Sequence, residues 1–300
     1  MKISVMVRFL LFGFLGFLQA TYADPITYTY TPISVPGSSS TSARGINNAG
    51  QIVGAYTDSA GQHGFLYSNG TYTTFDVPGG RFTTLLDVNN VGQIVGTYRD
   101  SSNTFRLFLD DNGVFTMIDV PRGLDLFLGA GINDVGQIVG TATSGRAFRY
   151  DHGEFFFIPP VFGIAGGNYA GGINNAGQIA MVESDGAQGH AYVYADGVST
   201  RIPTPTEESD ARGINNAGDV VGTYQSFNTF GSYLYSGGVL TRFESLDFDV
   251  ILGINDAGQL IGEGRRGAIL ATPTTIPEPA SLLLLTPGLA GLGVVIRRKR

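Results

Sequence analysis

Short apolar runs, broken by polar turns that carry glycine, recur along this chain with a period of about forty residues. The clearest unit is a ten-residue motif. It reads Gly-Ile-Asn-Asn-Ala-Gly-Gln-Ile-Val-Gly at 45–54 and returns, with small changes, at 87–96, 131–140, 172–181, 213–222 and 253–262. Its first asparagines are Asn47, Asn89, Asn133, Asn174, Asn215 and Asn255, spaced by 42, 44, 41, 41 and 40 residues. A fixed period of that size marks a repeat architecture, and four strands per period make each repeat one propeller blade.

The first complete repeat shows the pattern. Residues 43–46 predict a short strand and 47–50 a turn, with Gly50 free to take positive φ and asparagine able to tolerate it. A second strand, 51–56, has the β-branched centre of a buried sheet. His63-Gly-Phe-Leu-Tyr67 is a third, and Asn69-Gly70 then suits a type I′ hairpin. Residues 71–77 alternate as a half-exposed fourth strand that Pro78-Gly79 ends. Asn112-Gly113, His152-Gly153, Asp196-Gly197 and Gly237-Gly238 repeat the hairpin. The sixth repeat lacks a fourth strand, and residues 26–37 resemble 71–79. The expected fold is therefore an all-β, six-bladed β-propeller at 24–271, closed by that N-terminal strand. Small residues (Gly45, Gly131, Gly172, Gly213, Gly253) suit the crowded axis, and Phe65, Phe108, Phe148, Tyr192 and Tyr233 suit the space between blades.

Both hairpins of a blade are short, so they share one face of the disc. The opposite face collects the variable segments 81–84, 122–127, 160–169, 203–210 and 246–250. Variable loops on a rigid scaffold are where binding usually resides. Arg44, Tyr169 and Arg212 fall near that face or the axial opening, and Asp210 is placed to pair with Arg212. These four are the candidate ligand face; the Arg212–Asp210 pair serves equally as a structural one.

Composition narrows the chemistry. With no cysteine among 300 residues, disulfides and thiolate sites are excluded. Residues 24–271 hold 12 arginines, no lysine and 24 acids, a net of −12 that repels nucleic-acid phosphates. The Asn-rich turns raise calcium, but only Asp134, Asp219 and Asp256 add charge, one per turn, too few for a hard cation. His63, His152 and His190 lie in different repeats, which argues against zinc. No G-x-S-x-G elbow is present, and no carboxylate pair stands out for glycoside chemistry. No cofactor is expected.

The two ends read as addresses. Lys2 and Arg8, the apolar run 9–18, and small residues before Ala23 form a signal-peptide pattern with cleavage after Ala23. At the other end, after a linker at 272–276, Pro277-Glu278-Pro279 precedes an apolar stretch at 282–296 and Arg297-Arg298-Lys299-Arg300. This order resembles the PEP-CTERM sorting domain of Gram-negative, exopolysaccharide-producing bacteria over 277–300. The resemblance implies a short transmembrane helix, transient membrane insertion, and recognition of Pro277, Glu278 and Pro279 by an exosortase-type enzyme. Its other implied partners are the export translocon and signal peptidase. The expected itinerary is an inner-membrane-tethered precursor, then the cell surface or medium.

The repeat motif, followed by His63-Gly64-Phe65 or His190-Ala191-Tyr192, resembles HAF-type extracellular bacterial repeats over roughly 43–271. Arg146-Ala147-Phe148 and Gly231-Ser232-Tyr233 depart from it at the histidine. That family brings no enzymatic activity to transfer. The expected function is a non-enzymatic surface or matrix protein that binds exopolysaccharide or another envelope component. The alternative is an extracellular carbohydrate-active enzyme, a hydrolase or lyase, on the same disc.

Overall fold

The computed structural model describes residues 26–121, 123–125, 130–163, 167–226, 229–243, 248–265 and 267–274. These form six antiparallel sheets in a closed cycle. Blade 1 runs outward from the axis as Ser40–Ile46, Ile52–Thr57, Gln62–Ser68 and Thr71–Phe75. Blade 2 is Arg81–Val88, Ile94–Arg99, Phe105–Asp111 and Val114–Ile118. In blade 3 the inner strand is split into Leu124–Asp125 and Gly131–Ile132, ahead of Ile138–Ala142, Arg146–Asp151 and Glu154–Phe157. Blade 4 is Asn168–Ile173, Ile179–Ser184, Gly189–Ala195 and Val198–Arg201. Blade 5 is again split, as Glu208–Ser209 and Gly213–Ile214, then Val220–Ser226, Thr229–Ser236 and Val239–Phe243. Blade 6 has Val250–Ile254, Leu260–Gly264 and Gly267–Pro273 from the C-terminal side, and Tyr28–Pro32 as its outermost strand.

Turn chemistry builds the hairpins as expected on one side of each blade. Asn69-Gly70, Asn112-Gly113, His152-Gly153, Asp196-Gly197 and Gly237-Gly238 all take positive φ at both positions. In the inner turns the division of labour differs from expectation. Gly50 takes φ +72°, whereas Asn47 and Asn48 stay out of the left-handed region.

The glycine that ends the motif explains the aromatic that follows it. Gly54 lies opposite Phe65, and a Cβ on Gly54 would sit 2.8 Å from the Phe65 ring and 1.9 Å from the Ser42 carbonyl. The empty position lets the ring fold across the sheet. Phe108, Phe148 and Tyr233 face Gly96, Gly140 and Gly222 in the same way. These rings are buried in clusters that join neighbouring blades, as when Phe108 clusters with Val53 of blade 1, Val77 in the link between the two blades, and Leu85 and Ile94 of its own blade.

The closing strand touches three blades. Its register with blade 6 runs from Tyr28↔Pro273 to Pro32↔Ile269. Tyr28 packs edge-on against Phe243, and Tyr30 against Phe248, with centroids 5.5 and 5.9 Å apart. Burial pushes the Tyr28 hydroxyl up to about 12. Beyond the strand, Ile33 and Val35 enter the core with Phe65 and Ile261. The partner strand reaches Pro273, and the Thr274 N–H donates to the Thr27 carbonyl at 2.8 Å, so the propeller continues past the expected boundary at 271. Residues 81–84, expected as a loop, instead open the inner strand of blade 2 around a bulge. Ala23, Pro277, Glu278, Pro279 and the apolar stretch lie outside the described residues. Among the described residues no helix is long and apolar enough to cross a membrane.

Deleting residues 26–37 removes this closure. Burial of Ile33 and Val35 alone is worth about 3–6 kcal/mol. At about 2–4 °C per kcal/mol, melting should fall by roughly 10 °C or more. Unchanged melting by calorimetry contradicts the closure.

Candidate functional site

The inner strands surround an axial channel with a cavity volume of about 100 Å³. Each blade supplies one motif asparagine to its hairpin-face end. Asn47 Nδ2 donates to the Asn89 carbonyl, Asn89 to Asn133, Asn133 to Asn174, Asn174 to Asn215, Asn215 to Asn255, and Asn255 back to Asn47, at 2.9–3.3 Å. The second Nδ2 proton goes to the side chain four residues on, Gln51 in blade 1 and Asp219 in blade 5. The Oδ1 accepts the backbone N–H of that same residue, at 3.0 Å for Gln51. Donors and acceptor are all used, which an aspartate or serine could not match.

A second ring lies beside the first. The backbone N–H of Asn48, Asn90, Asp134, Asn175, Asn216 and Asp256 each donates to the side-chain oxygen of the next, at 2.7–2.9 Å, and the cycle closes at Asn48. Asn90 and Asn175 add amide donors to Asp134, and Asn48 and Asn216 to Asp256. Burial opposes ionisation of Asp134, but the bonds from Asn90 and Asn175 together outweigh it and hold the carboxyl below its usual range. The Asp134 and Asp256 carboxylates are thus bonded to neighbouring blades, while Asp219 accepts from Asn215 of its own blade at 2.9 Å.

Further along the channel, Asp87 stands where the other five copies have glycine. Its Oδ1 accepts the Val88 N–H at 2.9 Å and its Oδ2 the Ile132 N–H at 3.0 Å, joining blades 2 and 3. Some of its surface meets the channel, yet protein surrounds it. Burial pushes its carboxyl up to about 7, against the pull of those two N–H groups and with help from the Asp134 charge.

Of the four candidate ligand residues, Arg44 and Arg212 line the channel toward its loop-face end, while Tyr169 and Asp210 lie off it. Asp210 is spent internally. Its Oδ2 takes Arg212 Nε and Nη2 at 2.9 and 2.7 Å and the Thr223 hydroxyl at 2.8 Å, and its Oδ1 takes the Thr223 N–H at 2.7 Å. Its carbonyl accepts the buried Tyr233 hydroxyl at 2.7 Å. These bonds tie the pair into the wall of blade 5. Arg44 keeps a buried Nε with no hydrogen-bond partner among the described residues. Burial lowers its pKa; Glu263 opposes that shift and the Arg212 charge adds to it. Tyr169 is half-buried in its strand, its hydroxyl near Gly145 and Gly167.

Two of the histidines hold loops, while exposed His152 meets only its neighbour Asp151 among the described residues. His63 Nδ1 meets Asp76 Oδ2 at 2.7 Å, which raises its pKa, and buried His190 lies between the Glu207 carbonyl and Asp185 at 2.7 and 3.2 Å. Sequence reasoning missed the bridging role of the asparagines. The available signal was that the first is identical in all six copies, whereas the second alternates between Asn and Asp; a turn alone accepts either.

A closed cycle of six four-stranded blades around such an axis defines a β-propeller. Solved structures with this fold include TolB from Acinetobacter baumannii, at TM-score 0.55 and 12% identity, covering 76% of this chain. The chain spans only 64% of that protein's length. A catalytically inactive virginiamycin B lyase from Staphylococcus aureus, with quinupristin, is similar at TM-score 0.52 and 10% identity over 83% of this chain and 100% of its own. A streptogramin B lyase is similar at TM-score 0.50 and 12% identity, over 83% and 98%. No family model matches the chain, and no curated protein does. Identities this low carry the fold and no activity.

Asn133→Ala strands partners on both sides of the ring and should cost about 3 kcal/mol in denaturant unfolding; a loss below ~1 kcal/mol contradicts the ring's role. For Asp87 the folded pKa lies above the unfolded one, so its stabilisation is complete below pH ~4 and is lost as pH rises through about 7. Asp87→Asn does not titrate, so the wild type should lose on the order of 1 kcal/mol or more relative to it between pH 4 and 8. Parallel stability profiles contradict the assignment.

Proposed function

We propose that this chain is an exported cell-surface or exopolysaccharide-matrix protein whose propeller binds polysaccharide without cleaving it. The observation that carries this reading is the composition of the loop face. Phe82 and Phe105 open strands there, Phe162 sits in the connection from blade 3 to blade 4, and Phe230 begins the third strand of blade 5. All four are exposed, whereas the exposed large side chains in the turns of the hairpin face are Val91, Val114, Val135, Val198 and Val239. Aromatic faces carry negative charge density that attracts the C–H faces of sugar rings. A rigid disc with aromatic-tipped connections suits a binding surface.

Export and sorting rest on the two terminal sequences. The pattern ending at Ala23 supports passage through the translocon and cleavage by signal peptidase. The PEP-CTERM-like order at 277–300 supports a precursor tethered in the inner membrane of a Gram-negative cell and then processed by an exosortase-type enzyme.

Calorimetry of the protein with the producing organism's own exopolysaccharide should give saturable binding, with no reducing sugar released from the same samples. Sugar release establishes the enzyme reading instead, and absence of binding removes the polysaccharide reading. For sorting, Glu278→Ala should leave uncleaved protein in the membrane fraction; normal release contradicts exosortase processing.

A further inference from the structure

Blade 2 carries a cationic, aromatic platform on an otherwise acidic body. Arg81 and Arg99 face each other across adjacent strands, a pairing of like charges that ordinarily destabilises a sheet. Among the described residues neither makes a salt bridge, while Arg106 nearby is paired with Asp100 at 2.8 Å. Between Arg81 and Thr84 the register slips, and in this bulge Phe82 takes φ +52° with its side chain 46% exposed. A left-handed phenylalanine is strained, and a bulge re-aims side chains. The Arg99 guanidinium lies over Phe105 at 4.3 Å and over Phe82 at 5.5 Å. One of its nitrogens donates to Asn103 Oδ1 at 2.9 Å, and the remaining donors have no partner among the described residues.

That loop is built rather than loose. Asp100 Oδ1 accepts the backbone N–H groups of Ser102 and Thr104, each at 2.9 Å, and Asn103 takes φ +63°. A guanidinium held over two rings, with free donors, is prepared for a planar carboxylate. The rings beside it offer faces to the C–H groups of a sugar.

We propose that this platform binds an anionic polysaccharide, with Arg99 and Arg81 taking sugar carboxylates and Phe82 and Phe105 stacking on the rings that carry them. The proposal rests on the polysaccharide-binding reading above and names its ligand class. The net −12 of residues 24–271 repels any polyanion at long range, so the attraction here is local, from two arginines without acidic partners among the described residues.

The test uses the full chain in detergent, with polygalacturonate as the probe and its methyl ester and dextran as neutral comparisons. Polygalacturonate should bind, and each neutral polymer at least about tenfold more weakly. Phe82→Gly and Arg99→Gln should each weaken binding about tenfold. Phe82→Gly should melt no lower than wild type, because glycine accepts the left-handed backbone. Arg149→Gln removes an equal charge beside Phe156, elsewhere on the disc, and should bind as wild type. Wild-type affinity in both Phe82→Gly and Arg99→Gln overturns the platform and leaves polysaccharide binding standing. Equal affinity for the ester overturns the anionic class alone. Failure with polygalacturonate but binding of the organism's own polymer overturns this proposal only, and binding of no polysaccharide overturns both.

Discussion

The side-chain amide of one asparagine per blade, donated to the backbone carbonyl of the next, ties the six sheets into a cycle. Blades of a repeat protein bury apolar surface only against neighbours, so each is marginal alone. Around the rims that burial is served by rings such as Phe65 and Phe108, each folded over a glycine. At the axis little room remains between the inner strands: a Cβ on Gly131 would lie 2.9 Å from the Gly172 Cα. Hydrogen bonds replace apolar packing there, and asparagine is the residue short enough to fit and bivalent enough to bridge. The sixth link joins Asn255 to Asn47, and the N-terminal strand covers the same seam from outside.

This arrangement separates the two faces. The hairpin face is tied up by the rings, because Asp134 and Asp256 are each held by two amides and one turn N–H of every blade is paired to the next blade. In the channel between the faces, Arg212 is paired with Asp210 behind it. What remains free is the loop face, where exposed aromatic and arginine side chains collect. Stability is thus concentrated at the axis, leaving the loops to vary in length and chemistry.

The fold was legible because its signals are local. Asn69-Gly70 and its relatives dictate positive φ within two residues, and the period arranges those turns into blades. The closing strand was legible because 26–37 repeats the chemistry of 71–79, although its paired core is the shorter Tyr28–Pro32. The asparagine rings were not legible, because each bond spans some forty residues and leaves no local pattern. Arg81 opposite Arg99 was hidden for a similar reason: 81–84 reads as a loop, and only the bulge turns it into a strand that faces Arg99. Asp87 was visible as a departure from glycine, but its meaning needs the axis, where its carboxylate bridges two blades.

Native-state hydrogen exchange of the backbone N–H groups that donate to the ring asparagines tests the central claim most directly. These belong to Gln51, Gln93, Gln137, Gln178, Asp219 and Gln259, one per blade. If the closed ring makes the six blades one cooperative unit, all six exchange only by global unfolding and with the same protection. Graded protection, with Gln259 beside the closing strand exchanging first, would contradict that account and describe a stack of blades that opens from its seam.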